Sequence, residues 1–85
     1  MGEHDSVLRG IPLSISQVES ITGINKPTLR YWEKNFTGYL APNRSDGNQR
    51  HYNMEEVHKI LQIKKLLKAE GYTIVGARKK LGLGD

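Results

Sequence analysis

The sequence predicts a mainly α-helical domain: about four helices, with a small two-stranded β-hairpin inserted after the second. Three observations lead there. Two short helical patterns flank Thr22-Gly23, a turn of the helix-turn-helix kind. A Ser-Asp-Gly-Asn centre at residues 45–48 separates two short arms. A long apolar stripe after residue 53 then supplies a central helix.

The N-terminal segment, residues 1–11, is polar and is expected to be a disordered tail. Pro12 separates it from the first periodic stretch, and residues 12–82 are expected to form the domain. Ser16-Gln-Val-Glu19 has capping-box form, which predicts a first helix over about Ser16 to Ile21. Gly23 closes it, because glycine readily takes the left-handed backbone conformation. Ile24 plugs the turn.

Asn25 opens the second helix, since its side-chain oxygen can accept a free N–H of the first turn. Pro27 fits there, where its missing N–H costs little. At about 100° per residue, Leu29 and Trp32 share one side. Lys26, Pro27, Arg30, Tyr31 and Lys34 share the other. Lys26, Arg30 and Lys34 are spaced four apart, and like charges at that spacing weaken a helix by a few tenths of a kcal/mol. A face so composed suits phosphates and base edges better than a core.

Phe36 to Leu40 leads out of this helix. The arms on each side of Gly47 and Asn48 predict a β-hairpin, with Arg44 on one arm and Arg50 on the other. Two arginines facing across a turn repel unless an anion lies between them, so the hairpin reads as a basic wing.

Asn53-Met-Glu-Glu56 is a second capping-box pattern. It opens the longest helix, about Met54 to Glu70, ended by Gly71. Val57, Ile60, Leu61, Ile63 and Leu67 form its apolar stripe. Lys64 interrupts that stripe, and a snorkelling stem accounts for it. Thr73 caps a last helix, Ile74 to Leu81, with Ile74, Ala77 and Leu81 on the buried side. Gly82 and Gly84 end the ordered chain; residues 83–85 are its C-terminal end.

In this order the residues resemble the DNA-binding domain of the MerR-type transcriptional regulators, over about Leu13 to Leu81. Ile15-Ser-Gln-Val18 opens the first helix, and Thr22-Gly23 makes the turn. Thr28-Leu-Arg-Tyr-Trp-Glu33 lies in the second helix. Pro42, Arg44, Arg50 and Tyr52 frame the hairpin, and Glu70-Gly-Tyr-Thr-Ile74 joins the last two helices.

The resemblance implies a winged helix-turn-helix. Its recognition helix enters the major groove, its hairpin wing straddles the backbone, and a second wing at the junction of helices three and four adds phosphate contacts. It implies DNA contacts from Thr28, Arg30 and Tyr31, wing contacts from Arg44 and Arg50, and a packing role at the wing base for Tyr52. The chain departs from the pattern at the wing tip, where Gly47-Asn48-Gln49 replaces the more usual Gly-Tyr, and at Pro27, where many members carry a polar residue.

The expected function is sequence-specific binding of double-stranded DNA, through Lys26, Thr28, Arg30, Tyr31, Lys34, Arg44, Arg50 and Lys64. Lys64, Lys65 and Lys68 also read as an ordinary solvated face, and Arg78-Lys-Lys80 as charge suited to a helix C-terminus. The resemblance further implies homodimers on inverted-repeat promoter sites and indirect control of RNA polymerase. Family members continue into a long dimerisation helix and an effector domain, and this sequence stops at Asp85, so the chain alone is expected to be a monomer. Two other readings use the same residues: an excisionase-like or architectural DNA-binding factor, and a protein-interaction module on the same fold.

Composition agrees with a nucleic-acid partner. The 85 residues carry a net charge of +4 and a pI near 9.5. There is no cysteine, hence no disulfide or thiolate metal site. His4, His51 and His58 lack metal-ligand spacing. No apolar run approaches the ~20 residues that span a bilayer, and the first ten residues do not form a signal peptide. The cytoplasm is the expected location. No nucleophile with a base, paired catalytic carboxylates or Gly-rich phosphate loop is present, so neither an enzyme nor a cofactor is expected.

Overall fold

The computed structural model describes residues 12–40, 43–44 and 50–84, and only the backbone of 43, 44 and 50. Among them lie four α-helices: α1 (Ile15–Thr22), α2 (Lys26–Asn35), α3 (Met54–Lys64) and α4 (Ile74–Lys80). Two short strands, β1 (Asn43–Arg44) and β2 (Arg50–His51), precede α3, and a π-helical segment, Lys65–Ala69, extends it. The N-terminal tail and the wing tip at Gly47-Asn48-Gln49 lie outside the described residues.

Helix α1 begins earlier than the Ser16 pattern suggests. Its N-cap is Ser14, whose hydroxyl accepts from Gln17 N–H at 3.2 Å while Ser14 N–H donates to Gln17 Oε1 at 2.8 Å. Both Ser14…Gln17 and Ser16…Glu19 satisfy the capping rule locally. The earlier start keeps Ile15 against the core and leaves Glu19 for another task, described below. Gly23 ends α1 with φ of 76°, and its N–H donates to the Glu19 carbonyl. Ile24 is buried in the turn, as expected.

The strands pair antiparallel, with Asn43 opposite His51 and Arg44 opposite Arg50. Tyr52, just after β2, exchanges two backbone hydrogen bonds with Leu13, at 2.7 and 2.9 Å. The chain before α1 is thereby tied to the chain leaving the strand pair.

Asn53 caps α3 by accepting from Glu56 N–H at 2.9 Å. Val57, Ile60 and Ile63 face inward, as the stripe predicts, but Leu61 is 37% exposed and Leu66 is buried. The π-helical segment begins after Leu61 and shapes only the later positions. Its wider turn rotates less per residue, so both Leu66 and Leu67 stay on the inner side. Gly71, with φ of 75°, then reverses the chain, and Tyr72 N–H closes on the Leu66 carbonyl at 2.8 Å. Thr73 caps α4 by accepting from Gly76 N–H. Helix α4 is anchored by Ala77, with Ile74, Leu81 and Leu83 packed around it.

One apolar core joins these pieces. Val18, Ile24, Leu29, Trp32, Phe36, Leu40, Tyr52, Val57, Ile60, Ile63, Leu66 and Ala77 are all buried. Helix α1 packs on both α2 and α3, and α4 packs on the π-helical segment. Every helix therefore touches a common centre, and α2 spends only one of its faces on it. Tyr39 lies at the edge of this core; burial, and then the nearby Glu56 carboxylate, hold its phenol above the usual pKa.

Candidate nucleic-acid interface

Helix α2 divides as its sequence predicts. Leu29 and Trp32 are buried, whereas Arg30, Tyr31 and Lys34 are exposed and Lys26 and Thr28 half-buried. Tyr31, at 55% exposure, is a large aromatic that the core leaves to solvent. Among the described residues, none pairs with the Arg30 guanidinium, the Tyr31 hydroxyl or the Lys26 and Lys34 ammonium groups. Cations that face water without an ion pair among the described residues are available to an external anion.

The helix is held at both ends. At its start, Asn25 accepts from Thr28 N–H at 3.0 Å. Glu19 reaches across the turn from α1, and its carboxylate accepts from Lys26 N–H at 3.3 Å. A carboxylate there also suits the partial positive charge of a helix N-terminus. At the other end, the last four carbonyls all have partners. Trp32 accepts from Phe36 N–H, Glu33 and Lys34 share the single proton of the Thr37 hydroxyl, and Asn35 accepts from the Arg78 guanidinium. Helix termini usually leave these groups to solvent. Here they fix α2 to α1 and α4, so its exposed face has a set orientation.

The Asn25 cap contributes directly to that rigidity. Asn25→Ala should cost about 1 kcal/mol of stability, read from the urea midpoint. The amides of the first turn of α2 should also lose protection from hydrogen exchange.

A second tie runs from α2 to the strand pair. The buried Tyr52 hydroxyl donates to the Glu33 carboxylate. Glu33 lies on α2, and Tyr52 is two residues from Arg50. The strand pair is thus hooked to the helix by one side-chain contact and to Leu13 by two backbone contacts. The pairing sets Arg44 and Arg50 directly opposite one another; their side chains lie outside the described residues.

Lys64 has a different position. Its ammonium donates to the Thr22 carbonyl at 2.8 Å, at the C-terminus of α1. That carbonyl would otherwise be an unpaired helix end, and a cation there suits the partial negative charge. This explains a lysine in the α3 stripe better than snorkelling alone, and gives Lys64 an internal role that α2's lysines lack. It also bears on Gly23, where a Cβ would sit 3.5 Å from the same ammonium in an already strained left-handed conformation. Lys64→Met keeps the stem and removes the contact. It should lower stability by about 1 kcal/mol, measured by thermal or urea unfolding.

Sequence reasoning missed three positioning groups: Glu19, the Glu33–Tyr52 pair and Arg78. Glu33 carried a faint signal as the only acid on α2. Arg78 lies in the last turn of its own helix and donates to the Leu83 carbonyl beyond it, and it also serves the C-terminus of α2. Among the described residues, no three His, Asp or Glu side chains gather as metal ligands, and no helix is long and apolar enough to cross a membrane.

Comparison with known proteins agrees with this geometry. The model of the MerR HTH family regulatory protein matches residues 13–82. The HTH-type transcriptional repressor CarA of Myxococcus xanthus is 38% identical over 63 residues, which make up 73% of this chain and 22% of that protein. The chain therefore spans about a fifth of the length of that relative. With most of its residues in the family match, and a helix-turn-helix whose second helix turns Arg30, Tyr31 and Lys34 outward, the chain belongs to the MerR HTH family of transcription regulators, as a DNA-binding domain.

Proposed function

We propose that α2 is the recognition helix and that it reads double-stranded DNA in the major groove. Its two-faced division carries the proposal: Leu29 and Trp32 hold it to the core while Arg30, Tyr31 and Lys34 face outward, without polar partners among the described residues. Arg30 contacts a base edge or an adjacent phosphate. Lys26 and Thr28 lie at the helix start, where recognition helices commonly meet bases. Tyr31 and Lys34 contact the sugar-phosphate backbone. Residues 12–82 form the working domain.

The strand pair serves as a wing completed by the 45–49 connection, with Arg44 and Arg50 gripping a phosphate from opposite arms. The Tyr52–Glu33 contact sets the wing's distance from α2. Lys64 contributes chiefly through Thr22, and only its remaining N–H groups are left for DNA. Within a full-length regulator, the domain acts in the cytoplasm as part of a homodimer on a promoter, and affects RNA polymerase through the shape of that DNA. Its chemistry is binding, with no reaction catalysed.

The test is a titration of the isotope-labelled chain with an unrelated duplex of about 20 base pairs, at low and moderate salt. Salt-sensitive shifts concentrated at Lys26 to Lys34 and at Arg44 to Tyr52 support the assignment. An absence of shifts at low salt would remove it and favour the protein-interaction reading of the same fold.

A further inference from the structure

The longest helix leaves a surface unused by either the core or the α2 interface. From Lys65 to Ala69 it widens into a π-helix, and Glu70 N–H donates to the Lys65 carbonyl at 2.9 Å. Such turns are rare and often accompany functional sites. This one borders an open groove of about 320 Å³, lined by Leu61, Lys64, Lys65, Lys68 and Ala69.

The groove has an apolar floor and a cationic rim. Val57, Ile60, Ile63 and Leu66 already fill the inner side of the helix, which leaves Leu61 at the surface. Leu61, Ala69 and the lysine stems form the floor. The Lys64 ammonium is turned toward Thr22. Lys65 stands 3.9 Å from Glu70, with both side chains well exposed, an ion pair weak enough for a competing carboxylate to replace. Lys68 is exposed and has no partner among the described residues.

We propose that this groove binds an acidic amphipathic segment of a partner protein. An apolar side chain of that segment seats against Leu61 and Ala69, and flanking carboxylates pair with Lys65 and Lys68. Complementary charge supplies orientation and encounter rate, while the apolar contact supplies the desolvated centre that small interfaces need. A DNA backbone matches the rim but makes no use of the floor. The inference is independent of the assignment of α2 as the recognition helix.

The probe is a capped peptide, Glu-Glu-Leu-Glu-Glu-Leu-Leu-Glu-Glu, added to the isotope-labelled chain. A second peptide replaces every leucine by serine. Saturable shifts at Leu61, Lys64, Lys65, Lys68 and Ala69 with the first peptide, and not with the second, are the expected result. The double variant Lys65→Glu, Lys68→Glu should abolish them while leaving the spectrum of α1 and α2 in place, which shows that it still folds. Equal shifts with both peptides would reduce the groove to a charge patch and overturn the proposal. So would shifts confined to α2, an absence of shifts, or a duplex that moves these resonances when the leucine peptide does not.

Discussion

Phe36→Ala should remove most of the domain's stability at 25 °C. Phe36 is fully buried at the point where α2 hands over to the strand segment. Its backbone also closes two turns: its N–H donates to Trp32, and its carbonyl accepts from Tyr39 and Leu40. Removing a buried phenyl ring costs about 3–5 kcal/mol in transfer and cavity terms. At roughly 0.05–0.15 kcal/mol per residue, a chain of this length has only about 4–13 kcal/mol in total. Small domains sit toward the lower end, because they bury a smaller share of their surface. The substitution therefore removes most of the margin. Far-UV circular dichroism with urea titration reads the result, and an unfolding free energy lowered by less than about 1 kcal/mol would mean that the cavity collapses at little cost.

Arg30→Ala should act on DNA binding and spare the fold. The side chain is exposed and makes no hydrogen bond or ion pair among the described residues, so the stability change should stay within about 0.5 kcal/mol. It should tend to be favourable, because Lys26 and Lys34 flank Arg30 at four-residue spacing and the repulsion is relieved. Affinity for a specific site should fall by about 1–3 kcal/mol if Arg30 reads a base, roughly 5- to 150-fold, with relaxed preference at that position. If it contacts a phosphate instead, the loss should be uniform across sequences and the salt slope should flatten by about one. Fluorescence anisotropy on a selected duplex and on mismatched duplexes, over a salt series, separates these outcomes. Unchanged affinity and unchanged slope would remove Arg30 from the interface.

The opposite behaviour of these two positions follows from how α2 is used. Phe36, Trp32 and Leu29 supply the apolar contacts that hold it, and Arg30, Tyr31 and Lys34 the polar face that it displays. A helix of this kind is informative in sequence because its two faces obey different rules. Apolar residues recur at helical spacing on the core side, and cations crowd the other against the helix's own interest.

Other features were ambiguous for equally physical reasons. The Ser16 pattern gave a late start for α1, because Ser14 and Gln17 satisfy the same capping rule two residues earlier. Local chemistry could not separate the two patterns; the winner depended on Ile15 meeting the core and on Glu19 reaching Lys26 N–H. Lys64 looked out of place until the Thr22 carbonyl, 42 residues away in sequence, was found beside it. The π-helical turn was hidden as well, since its residues are ordinary helix formers and the extra residue per turn becomes useful only against a particular core. The tie between Glu33 and Tyr52 joins residues 19 apart in elements that no periodicity links.

The sequence by itself determined the helical elements, the turn at Gly23, the buried side of α2 and the basic character of its exposed side. These depend on local propensity, capping and spacing, which act over a few residues and are written in neighbouring positions. Only the tertiary structure decided which carboxylate serves which helix end, which cation is committed to a carbonyl, and which leucine of the long helix is left outside. Those depend on the distances between groups far apart in the chain. Such distances are set when several apolar faces share one core.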